Sequence, residues 1–334
     1  MSADKILREW KINAFKPIYW LEGAEPYFID ILMDYAEKKI VSEAESSFNL
    51  TIFYGKDADW AEVVNACRRY PMFAERQVVL LKEAQQMRDI EKLQGYIENP
   101  LATTVFVVSH KEKKLDARGK LGKKLKESKL AEVFTTQKLK DYQLPEWAGN
   151  IVKEHGLTIN PKALHMLVDH IGNDLNRIEN EVEKIMLNLG AKKTISEDDV
   201  EKYIGVSKEY NAFELQLAIG QRDLAKSIKI IQYFESNPKA GPIQLLLPTI
   251  YNFFSKVYII KGLQGNDEQS IAAAIGVNAY YIKDYVSAAR KYDYAAVEKV
   301  LLLLHQYNLR GIGVHDGGTS DAGLMKEFVV KIMN

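Results

Sequence analysis

The stretch GAEPYFID, residues 23–30, stands where a phosphate loop would stand, after a short apolar run and ahead of a helical pattern. In GxxxxGK[ST], backbone N–H groups cradle phosphate, the lysine neutralises its charge and the hydroxyl holds magnesium. Aligned on Gly23, the chain places Phe28 at the second glycine, Ile29 at the lysine and Asp30 at the hydroxyl. Pro26 removes one of the cradle's donors, and Asp30 would repel phosphate. Gly23, Phe28, Ile29 and Asp30 therefore read as a degenerate loop, with the position of a nucleotide site and none of its chemistry.

The run QVVLLKE, residues 77–83, is the matching candidate for a magnesium-holding strand, which would end in Asp-Glu. It ends in Lys82 and Glu83, and a glutamate without a metal partner reads as a surface carboxylate. The six histidines show no HExxH spacing; His165 and His170, five apart, point to different helix faces. No GxSxG elbow occurs. The single cysteine, Cys67, excludes an internal disulfide and a Cys-based zinc site. It reads as a small buried hydrophobe, with a reactive thiol beside Arg68 as the alternative. The expectation is no catalytic residue, no metal and no cofactor.

Two stretches point to binding instead. In YPMFAER, residues 70–76, Met72 and Phe73 stand side by side behind Pro71, in what should be a short wet connection. Such a pair either completes the core under the following strand or projects to meet a partner, and the residues alone leave both open. If it projects, Phe brings a large apolar area and Met adapts to an imperfect pocket. The run HKEKKLDARGKLGKKLKESK, residues 110–129, gathers Lys113, Lys114, Arg118, Lys120, Lys123 and Lys124. It reads as a solvated helix face or as a patch tracking phosphates of DNA.

Alternation over the first 140 residues supplies the elements that carry these stretches. Runs at 17–23, 49–55, 77–83, 103–110 and 131–136 are apolar and β-branched, with helical spacing between them. Five strands with intervening helices predict a parallel sheet covered on both faces. Asp59 with Glu62 reads as a capping box. Beyond residue 140 strand signals stop. Four segments within 144–205 read as helices ended by glycine, with Asn160–Pro161 and Ser196 as starts. From about 210 the helices lengthen, and apolar stripes this wide predict burial in a bundle or against another subunit.

The fold class expected is thus an α/β N-terminal domain (1–140), a small helical lid (141–207) and a helical collar (208–334), the layout of an AAA+ ATPase with a RecA-like five-stranded sheet. A chain of 334 residues needs two or three cores. Lys plus Arg equal Asp plus Glu at 45 each, so any nucleic-acid contact must be local. The N-terminal segment is charged, and no uninterrupted apolar run of ~20 residues is present. A cytoplasmic location and no membrane follow as expectations.

LEGAEPYFID, PMFAERQVVLLKEA, TTVFVVSHKEKKLDARGKLGKKLKE, GNDLNRIENEVEKI and the late HQYNLRGIGVHDGGTSDAGLMKEFVVKI, in this order and spacing, resemble the delta subunit family of bacterial DNA polymerase III. The resemblance covers essentially the whole chain. It implies a clamp-opening member of a clamp loader, without a working nucleotide site, assembled with gamma/tau ATPase subunits and delta-prime around primer–template DNA. It also implies that an apolar pair before the third strand, here Met72 and Phe73, enters a pocket of the sliding clamp (beta). Pro71, Ala74, Arg76 and Gln77 flank that pair, and Arg76 and Gln77 are expected to shape the turn. Arg177, at a sensor-arginine position with no nucleotide to serve, is expected to pair with Glu181. Two alternatives are a delta-prime-like scaffold, which a single cysteine disfavours, and an active AAA+ ATPase.

Overall fold

In a computed structural model, which describes residues 3–207, 209–263, 267–277, 281–315 and 318–333, the chain divides into two compact units, Met1–Leu139 and Lys140–Asn334. The first unit contains β1 (Ile18–Gly23), β2 (Leu50–Tyr54), β3 (Gln77–Lys82), β4 (Thr104–Lys111) and β5 (Ala131–Thr136), each within a residue or two of the runs read from the sequence. All pairings are parallel, in the order β2-β3-β4-β1-β5. β3, β4 and β1 are interior, and β2 and β5 form the edges.

Side-chain alternation along the strands divides the core in two. Tyr19, Leu21, Val78, Leu80, Val105 and Val107 point to one face and meet α1 (Ala3–Lys11) and α2 (Pro26–Lys39) through Ile6, Trp10, Ile29 and Leu32. Ile18, Trp20, Val79, Leu81, Phe106 and Val108 point to the other. They meet α4 (Trp60–Cys67), α5 (Gln94–Glu98) and α6 (Lys120–Glu127). Both faces are therefore apolar, as a covered parallel sheet requires. The short α3 (Glu43–Asn49) runs directly into β2.

Asp59 caps α4 by accepting from the Ala61 N–H (2.6 Å). Reciprocal boxes are seen at Ser42 with Glu45 and at Ser196 with Asp199.

In the second unit, α7 (Leu144–Glu154), α8 (Pro161–Ile171), α9 (Leu175–Asn188) and α10 (Glu197–Ile204) are the four glycine-ended helices. Gly156, Gly172, Gly190 and Gly205 all take positive φ, which L-residues with side chains rarely adopt. The expectation that strands end at residue 140 is corrected by a short parallel pair, β6 (Thr158–Ile159) with β7 (Thr194–Ile195). Two-residue strands are too brief to leave a period in sequence.

Among the described residues, the α-helices that follow are α11 (Ala212–Gly220), α12 (Leu224–Ser236), α13 (Ile243–Gly262), α14 (Glu268–Ile275), α15 (Ile282–Lys291), α16 (Tyr294–Gly311) and α17 (Asp321–Met333). They share one apolar core that includes Phe253, Phe254, Tyr292, Tyr307 and Phe328. The helical pattern expected from about 210 onward includes residues 278–280, which lie outside the described residues. By length and composition alone the segment Pro238–Gly262 could cross a membrane, yet Leu246, Ile250, Phe253, Phe254 and Val257 are all buried within this core. The rest of the wide stripes stays open, with Tyr251, Ile259 and Leu302 exposed.

Candidate functional site

The degenerate loop lies at the C-terminal end of β1, where strand order reverses and an α/β sheet ordinarily receives its ligand. Here the chain fills that position with its own groups. Gly23 has a φ of 126°, and a Cβ there would stand 2.2 Å from the Thr136 carbonyl oxygen, so glycine serves the close approach of β1 to β5. Glu25, buried, caps α2 by accepting from the Tyr27 N–H (3.2 Å). A carboxylate thus occupies the anion-favouring helix start that a phosphate would use. Ile29, at the lysine position, is fully buried in the core.

Three charges complete the replacement. The Lys111 Nζ, at the end of β4, lies 2.7 Å from Asp30 and 3.0 Å from Glu83. Burial acts to lower the Lys111 pKa, but hydrogen bonds and charge from both carboxylates outweigh it and hold it above the usual lysine value. Glu83 itself takes a left-handed φ of 53°, with its N–H donated to the Ser109 hydroxyl. It is half-buried in an ion pair, which corrects its reading as a plain surface carboxylate. The register Gly23↔Lys111 brings the loop and β4 together, a juxtaposition that the sequence alone does not display.

The second candidate lies between α4 and β3. Met72 is 51% exposed and Phe73 97% exposed, so the pair projects and does not fill the core under β3. Phe73 has a φ of 54°, an outlier for a bulky side chain. Two buried amides frame this turn. Gln77 donates through Nε2 to the carbonyls of Ala66 (3.1 Å) and Arg69 (2.5 Å) and to the Thr104 hydroxyl (2.9 Å). Thr104 in turn donates to the Cys67 carbonyl (2.9 Å). These bonds tie Gln77 and Thr104 to carbonyls in the last turn of α4 and just beyond it.

Asn49, at the end of α3, is the residue that sequence reasoning missed. Its Oδ1 accepts from the Met72 N–H (2.7 Å), and its Nδ2 donates to the Met72 carbonyl (2.9 Å). The asparagine beside LTIFY was a legible turn signal, but nothing in the sequence connects it to a residue so distant along the chain. Arg76, half-buried, lies over the Phe15 ring at 4.5 Å and pairs with Glu75 at 3.3 Å; Phe15 itself packs against the core on the α1–α2 face of the sheet. Pro71 and Ala74 are half-buried at the two sides of the exposed pair.

The basic run forms the loop after β4 and helix α6. Lys113, Lys114, Arg118, Lys120 and Lys123 are exposed. Arg118 pairs with Asp116 (3.3 Å), and Lys124, half-buried, with Glu98 (3.4 Å).

Cys67 is fully buried, and burial pushes its thiol pKa up, so it is a packing residue. Glu181 forms an ion pair with Lys184, which corrects the expected pairing with Arg177; Arg177 is exposed. His165 packs against Tyr281 with ring centroids 4.3 Å apart, and His170 lies apart from it on α8. His155, Glu179 and Glu183 offer ligand atoms within 4.8 Å of one another, a cluster the sequence reading did not anticipate.

Residues 19–135 match the family model of DNA polymerase III, delta subunit, which spans nearly all of the α/β unit. The DNA polymerase III subunit delta of Bacillus subtilis is 25% identical over 340 aligned positions, covering 98% of this chain and 96% of that protein. The probable DNA polymerase III subunit delta of Aquifex aeolicus is 23% identical, covering 83% of this chain and 81% of that one. A solved structure of the Bacillus subtilis DNA clamp loader delta protein shares the fold, with a TM-score of 0.54, 24% identity and 99% of both chains covered. The α/β unit thus matches the DNA polymerase III delta-subunit family, and the resemblance to delta subunits continues over the whole chain.

Proposed function

We propose that this chain is the delta subunit of a bacterial replication clamp loader, and that it binds and opens the ring-shaped sliding clamp without hydrolysing ATP itself. The observation that carries this reading is the outward projection of Met72 and Phe73 from a turn fixed on both sides. Burial of both side chains in a clamp pocket would contribute roughly 3–5 kcal/mol before association costs. Pro71, Ala74, Arg76 and Gln77 shape that contact. Opening follows if the contact surface fits a relaxed ring better than a closed one, because a ligand shifts an equilibrium only by its differential affinity.

The absence of hydrolysis is supported by the loop at β1. Glu25 sits at the helix start, Ile29 is buried where a lysine would reach phosphate, and Lys111 pairs with Asp30 and Glu83. ATP would then be used by gamma/tau subunits, with delta-prime completing the ring. The helical unit divides near residue 207 into a lid (141–207) and a collar (208–334). Exposed Tyr251, Ile259 and Leu302 support subunit contacts by the collar. The exposed lysines at 113, 114, 120 and 123, with Arg118, suit primer–template DNA in the assembled complex, and the cytoplasm is the corresponding location.

The test is the affinity of the purified chain for the sliding clamp of its own organism, beside a Met72→Ser/Phe73→Ser double variant. Binding by the wild type that is lost in a folded double variant is expected. A wild type that ignores the clamp would sink the reading. Saturable ATP binding at equilibrium would instead favour an active ATPase.

A further inference from the structure

Phe73 combines two features that rarely coincide. Its ring is almost wholly in solvent, and its backbone occupies the left-handed region that bulky residues avoid. No burial of its own rewards that conformation, so neighbouring contacts must impose it. The contact at hand is Asn49, whose planar amide matches both backbone polar atoms of the preceding residue, as a strand partner would. Asn49 is 2% exposed, and its Nδ2 also donates to the Glu45 carbonyl (3.2 Å) in the last turn of α3. Release of Met72 would therefore leave the buried Asn49 Oδ1 without the Met72 N–H it accepts from, and loss of the amide would release Met72.

We propose that Asn49 is the positioning residue of the apolar knob, holding residues 72–73 in the projecting conformation before any partner arrives. The proposal rests on the clamp-binding reading of Met72 and Phe73 and adds to it the device that pre-organises them. A binding-competent turn that is only fractionally populated weakens apparent affinity by that fraction. Asparagine is specified by the chemistry. Alanine would supply neither bond, and aspartate would keep the acceptor for the Met72 N–H while setting a carboxylate oxygen against the carbonyls of Glu45 and Met72.

The test uses the full chain and its organism's sliding clamp, with Asn49→Ala, Asn49→Asp, Phe73→Ala and the Asn49→Ala/Phe73→Ala pair. Hydrogen exchange at the Met72 amide is read alongside. The expected result is a folded Asn49→Ala variant with faster exchange at Met72 and about tenfold weaker clamp binding. That loss should be clearly smaller in the Phe73→Ala background, because the latch acts through the knob and half of the knob is already gone. Full affinity in Asn49→Ala, with Phe73→Ala impaired, overturns the latch and leaves the knob standing. An equal loss in both backgrounds also overturns it. Phe73→Ala binding like wild type would instead break the clamp reading on which the proposal rests. Should Asn49→Ala fail to fold, Asn49→Asp decides on the same criteria. If neither folds, Asn49 belongs to the core of the unit and the proposal fails.

Discussion

Two loops at opposite ends of the same sheet have been treated in opposite ways. At the C-terminal end of β1, a position built to receive a ligand is closed by the chain's own Glu25, Asp30, Glu83 and Lys111. Before β3, a connection that could have been short and polar holds two large apolar side chains in solvent. The first satisfies its charged groups within the chain, and the second leaves its apolar groups to solvent. On the proposed clamp reading, the sheet keeps the geometry of a nucleotide site while its binding surface lies at the other end.

Restoring one loop and blunting the other should separate these roles. The largest effect is expected from Ile29→Lys, which returns the phosphate-binding residue type to a fully buried site. An unpaired charge there should cost roughly 3–5 kcal/mol of stability, seen as a lower Tm and no gain in nucleotide binding. A folded variant that binds ATP would break the comparison. Next, Phe73→Ala should weaken clamp binding by about 100-fold, or ~2–3 kcal/mol, while the Tm stays put because the ring is exposed. A falling Tm with unchanged affinity would reassign Phe73 to packing.

Lys111→Met should leave Asp30 and Glu83 facing each other uncompensated, costing about 1 kcal/mol in this half-exposed setting. Denaturant titration would register it, and clamp affinity should be unaffected. A control outside both loops comes from His165, where burial, aided by the nearby Lys256 charge, lowers the pKa from 6.5 to about 4. Between those values the unfolded chain takes up a proton that the folded chain refuses, so stability should fall as pH drops through that window. His165→Phe should flatten that part of the profile. Clamp binding measured well above the window should not respond.

The sequence made the strands legible because each is a run of β-branched and aromatic residues, and the phosphate loop is recognisable even in its absence of lysine and hydroxyl. Projection of Met72 and Phe73 was one of two open readings from residue types alone, and exposure distinguishes them. The Lys111 triad was hidden because it depends on the pairing of β1 with β4. Asn49 was hidden for a related reason, since a carboxamide at the end of a helix reads equally well as a local turn residue. Such long-range polar matches leave no periodic signature, whereas burial does.

The small β6–β7 pair has a consequence for how the helical unit assembles. By joining Thr158–Ile159 to Thr194–Ile195 it makes α8 and α9 the body of a closed loop. Loop-closure entropy rises only slowly with length, so most of that loss is incurred when the ends first meet. Contacts made afterwards within the loop face a chain already confined. The segment from 158 to 195 should therefore gain and lose its amide protection as one cooperative block, with the two threonines as its clasp.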